Sequence, residues 1–70
     1  MKDWTVVYKS PIYSRAEIVK GVLIEQGIDA VIINKRDSSI HFAHGQVEVL
    51  VHRNQVLGAM KIINSEITFK

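Results

Sequence analysis

Residues 14–34 read SRAEIVKGVLIEQGIDAVIIN, and the hydrophobic period changes inside that stretch. Up to Gln26 the apolar residues recur at helical spacing. Ala16, Val19, Val22 and Leu23 share one face with Gln26, and Ile18 sits at its margin. Beyond Gly27 the spacing collapses into Ala30-Val31-Ile32-Ile33, an unbroken apolar run of the kind a strand shows when both its faces are covered. The helix carries start and stop signals. Ser14-Arg15-Ala16-Glu17 has the form of a capping box, in which Ser14 accepts from the Glu17 amide and the Glu17 side chain reaches back; Tyr13 and Ile18 are spaced as a hydrophobic staple. Gly27 is the expected left-handed stop.

Working outward, residues 4–9 alternate as a strand, with Trp4, Val6 and Tyr8 on one face and Thr5, Val7 and Lys9 on the other, and Pro11 follows as a terminator. Residues 46–52 alternate as another strand, Val47, Val49 and Val51 against Gln46, Glu48, Leu50 and His52. Asn54 is suited to cap a second helix whose core stripe is Val56, Ala59, Met60 and Ile63, flanked by Leu57 and Ile62. Asn64-Ser65 is expected to break that helix, and residues 66–69 to form a short edge strand. The order strand, helix, strand, strand, helix, strand predicts an α+β fold of ferredoxin-like βαββαβ type. Its four-stranded antiparallel sheet would carry both helices on one face. The other face, with Val7 and Leu50 among its residues, is then half-apolar and open to a partner.

Seventy residues make a single domain, spanning 1–70, with room for one core. A chain of this size buries only about 60% of the surface its unfolded form exposes, which invites self-association. There is no cysteine, so disulfides and thiolate metal sites are excluded; a cytoplasmic location fits. The start, Met1-Lys2-Asp3-Trp4, lacks the apolar run of a signal peptide, and the longest apolar stretch, residues 30–33, is too short to span a bilayer. The net charge of +2 arises in the second half: Lys35, Arg36, Arg53, Lys61 and Lys70 oppose Asp37, Glu48 and Glu66, whereas residues 1–34 balance. That is a solvated surface with a slight bias toward anionic partners.

The polar connection over residues 35–45 is the expected functional segment, because a link this long between strands exceeds an ordinary hairpin turn. Lys35, Arg36, Asp37, Ser38, Ser39, His41 and His44 are its partner- or ligand-binding candidates. Lys35 and Arg36 with Ser38 suit an anion or nucleotide phosphate, although no P-loop is present. His41 and His44, with His52 further on, have metal-ligand spacing, but surface histidines account for the same pattern and no metal or other cofactor is expected. No nucleophile motif, dinucleotide fingerprint or paired carboxylates occur, so catalysis is not expected. RNA-recognition domains share this strand order, but the third strand here lacks stacking aromatics and carries Glu48 at its centre, which counts against nucleic acid. Gly21 and Ile24 lie together on the outer face of the first helix and are candidate contacts for a homo-oligomer.

Three segments resemble a family of small bacterial domains described as prokaryotic signal-transducing proteins: residues 14–23, Gln26-Gly27-Ile28-Asp29-Ala30, and Asn34-Lys35-Arg36-Asp37-Ser38. The resemblance extends over about residues 4–63. It implies a ferredoxin-like fold related to the PII-type nitrogen regulators, in which the connection between strands two and three contacts partners. By that likeness the segment 35–45 holds the equivalent position. Residues and resemblance together lead to the expectation of a non-catalytic regulatory or interaction module. It would bind a protein through that loop and the open sheet face. An anion or nucleotide sensor is the alternative.

Overall fold

Val47 to Val51 lose nearly all their solvent contact on both sides, and this decides where the strand lies. In a computed structural model, which describes residues 3–34 and 47–67, these residues form the centre of the sheet. The elements are β1 (Trp4–Ser10), α1 (Tyr13–Glu25), β2 (Ala30–Asn34), β3 (Val47–His52) and, after a 3-10 turn over Arg53–Gln55, α2 (Val56–Glu66). β3 pairs antiparallel with β1 on one side and β2 on the other. Val47, Val49 and Val51 turn toward the helices and meet Ala16, Val19 and Leu23 of α1 and Ala59 of α2, with Ile28 and Ala30 completing the core.

The sheet among the described residues has three strands in the order β1-β3-β2, and this overturns the expected four-stranded ferredoxin-like sheet. The reason lies in the end of α2. Asn64-Ser65 does not break the helix: α2 runs on through both, and the Ser65 hydroxyl donates to the Lys61 carbonyl at 2.9 Å, so its polar group is satisfied within the turn. Glu66 is therefore the last helical residue. Ile67 donates its N–H to the Ile63 carbonyl at 3.3 Å and packs on the core, so the start of the expected strand is used to close the helix. The rest of that segment, Thr68 and Phe69, lies outside the described residues.

Helix α1 ends as its sequence requires and begins differently. At its end, Gly27 has φ 90°, the Gly27 N–H donates to Ile24 at 3.0 Å, and the Ile28 N–H reaches Leu23 at 2.9 Å. This is a Schellman stop, with Ile28 and Leu23 joined in the core. At its start, no capping box forms. The helix opens at Tyr13 with Ile12 in the cap position and no side-chain cap bond, so Ser14 falls inside the first turn. Buried Ser10 turns the chain instead, its hydroxyl oxygen accepting from the Ile12 N–H at 3.0 Å. The Tyr13 phenol donates to the Glu17 carboxylate. Tyr13 and Ile18, the expected staple, are both exposed, as are Gln26 and Met60, which were expected in the core. Asn54 likewise does not cap α2, because the 3-10 turn intervenes and Gln55 holds the cap position without a side-chain bond.

Candidate functional site

β1 departs from simple alternation, and the departure shapes the face opposite the helices. Its register on β3 shifts between Val6 and Tyr8, so Val7 is the extra residue of a bulge. Tyr8 now opposes Val49 and both Val7 and Tyr8 pack toward the core. The expected placement of Val7 on the open face is therefore overturned, and so is that of Trp4 and Val6 on the face opposite it: both lie against open-face residues of β3, as Lys9 does.

The register then sets three rows across the open face. Trp4 opposes His52; Val6 opposes Leu50, which opposes Val31; Lys9 opposes Glu48, which opposes Ile33. The middle row is wholly apolar, and Ile33 extends it along β2. Leu50, on the central strand, is only 6% exposed, while Val6, Val31 and Ile33 to either side are half-buried. No described helix or strand covers these rows.

One end of the face is aromatic and polar. The Trp4 and His52 rings stack with centroids 4.1 Å apart and planes 30° from parallel. Beyond them lies an open cavity of about 390 Å³ lined by Asp3, His52, Arg53 and Asn54. The Arg53 N–H donates to the Asp3 carbonyl at 2.9 Å, which ties the start of β1 to the turn leading into α2. The arrangement joins an apolar centre to a rim holding an indole, an imidazole, a guanidinium and carboxylates.

Most of the residues singled out in the sequence, Lys35, Arg36, Asp37, Ser38, Ser39, His41 and His44, lie outside the described residues. His52, expected as a third histidine, is engaged by Trp4. Among the described residues no group of three or more histidine, cysteine or acidic side chains is placed to hold a metal ion. Gly21 and Ile24 are both exposed on α1, and a methyl group added at Gly21 would meet nothing within 4 Å. Sequence reasoning missed the end formed by Trp4, Arg53, Asn54 and Asp3. The signal available was a lone tryptophan opening a strand that pairs with the last residue of another. No described helix is long and apolar enough to cross a membrane. Compared with known protein families, characterised proteins and solved structures, the chain matches none.

Proposed function

We propose that this chain is a small regulatory or interaction module that docks a protein partner on the open face of its sheet, with the stacked Trp4–His52 end as the anchor. The observation that carries the reading is the apolar row Val6–Leu50–Val31 with Ile33 beside it, on a face that no described element covers. Contiguous apolar surface rimmed by polar groups is costly to leave in water and gains free energy when a partner removes it. The sequence resemblance to small signal-transducing domains points the same way.

The test compares capture from the native host by four immobilised proteins: the parent, Val31→Asp, Trp4→Ala and Leu57→Asp, each checked for folding by circular dichroism. The expected result is a protein retained by the parent and by Leu57→Asp, whose site is on the helix layer and 83% exposed, but lost by the two face variants. Equal retention by all four overturns the reading. A rise in melting temperature with nucleotides or small anions, without face-dependent capture, replaces it with the ligand-sensor alternative.

A further inference from the structure

Among the described residues the sheet has β1 and β2 as its outer strands, and the two are built on different rules. β1 carries a bulge at Val7, an exposed lysine at Lys9 and a proline directly after it at Pro11, three features that hinder another strand from adding alongside. β2 carries none of them. Its five residues, AVIIN, contain no charge and no proline, and its pairing with β3 runs without a shift in register. Among the described residues β3 is its one strand neighbour. The backbone N–H and C=O groups of alternate residues along Val31, Ile32 and Ile33 point away from β3. Such a row of donors and acceptors is a template on which another extended chain can pair.

We propose that the other chain is a second copy of this protein, joined through antiparallel pairing of β2 with β2 about a two-fold axis at Ile32. The strand is chemically self-complementary about that residue. Val31 of each copy then opposes Ile33 of its partner on the open face, Ile32 opposes Ile32 on the helix side, and Ala30 opposes Asn34. Centring the axis one residue earlier, at Val31, would set Asp29 against Ile33 and Ile28 against Asn34. Centring it at Ile33 would set Ile32 against Asn34. The Ile32 centre keeps the three branched residues Val31, Ile32 and Ile33 opposite one another, and the register of a sheet follows such matching. The product is a six-stranded antiparallel sheet with all four helices on one side. On the other side the row Val6–Leu50–Val31 continues without a break into Ile33 of the second copy. The two-fold makes the contact isologous and closed, so pairing stops at two copies.

Sedimentation of the full-length chain over a concentration series tests this. The parent is expected to show a reversible monomer–dimer equilibrium. Val31→Lys with Ile33→Lys sets lysine against lysine at two places across the axis and should weaken dimerisation by about tenfold or more. Val31→Lys with Ile33→Glu sets lysine against glutamate at the same two places, so dimerisation should return at low salt and fall as salt is added. Thermal melts of both variants establish that they fold. A parent that stays monomeric up to about 1 mM overturns the proposal. So does persistent dimerisation of the double-lysine variant, which would move the contact to Gly21 and Ile24 or to the sheet face. Failure of the lysine–glutamate variant to recover also overturns it. Val6→Lys lies on the open face but away from the β2 edge; it should leave dimerisation unchanged while removing a docked partner, so this proposal and the docking reading fail separately.

Discussion

At Tyr13 a hydrogen bond within the first turn of α1 changes how a side chain titrates. The phenol donates to Glu17 four residues on, and the negative carboxylate further disfavours the phenolate, so the Tyr13 pKa is raised from 10.0. A raised pKa means that the folded state holds the phenolic proton more tightly than the unfolded chain. The contribution to stability is thus complete below tyrosine's ordinary range and is lost as pH rises through the folded value. In a Tyr8→Phe background, absorbance of the phenolate should report Tyr13 alone. Glu17→Gln, which keeps an acceptor but removes the charge, should lower the midpoint in part, and Glu17→Ala should lower it further. An unchanged midpoint in Glu17→Ala would show that the hydrogen bond is not made. The sequence contained the 13/17 spacing, but the capping box one residue later used the same glutamate. Both arrangements draw on Glu17, and the one present starts a residue earlier, after a turn in which the buried Ser10 hydroxyl accepts from the Ile12 N–H.

The glycines separate two roles at the scale of the element. Gly27 sits at φ 90°, where a Cβ is penalised, so Gly27→Ala should destabilise by about 1–2 kcal/mol. Gly21 lies inside α1 with open space around it, so Gly21→Ala should stabilise by about 1 kcal/mol. Gly58 lies inside α2, where an added Cβ would meet Ile28 Cδ1 at 3.7 Å, an ordinary contact, so Gly58→Ala should stabilise by a similar amount. Urea midpoints at constant slope check all three; a loss of stability in Gly21→Ala would mean that the outer face of α1 is occupied. Element type was legible wherever period and burial agreed. The helical spacing of Ala16, Val19 and Leu23 and the alternation of Val47, Val49 and Val51 both reappear as the core. It failed where one bond redirected the chain. α2 runs through a segment that composition marks as a break, the Ser65 hydroxyl bonding back to the Lys61 carbonyl, and the bulge at Val7 parts Tyr8 from Trp4 and Val6, whose face it was expected to share. Neither is visible in a periodicity, because each depends on what the backbone does one turn or one strand away.

At the scale of the whole molecule, the described strands and helices place the core on one side of the sheet, and the three leucines sample its sections. Leu23 is fully buried between α1 and the sheet, Leu50 is 6% exposed on the opposite face, and Leu57 is 83% exposed on α2. Cutting each to alanine should therefore give three different results. Leu23→Ala removes a side chain whose surroundings cannot collapse freely and should cost about 2–5 kcal/mol. A domain of this length has only about 4–10 kcal/mol in total, so that variant stands near the limit of folding. Leu57→Ala removes surface already in water and should change stability by no more than about 0.5 kcal/mol. Leu50 decides between two pictures of the open face. If its neighbours Val6 and Val31 shield it within one copy, as the cross-strand row indicates, Leu50→Ala should lower the urea midpoint at every protein concentration. If the loss instead grows with protein concentration, the shielding comes from association over the face rather than from the row itself, and the account of that row as a surface left for a partner would have to be given up.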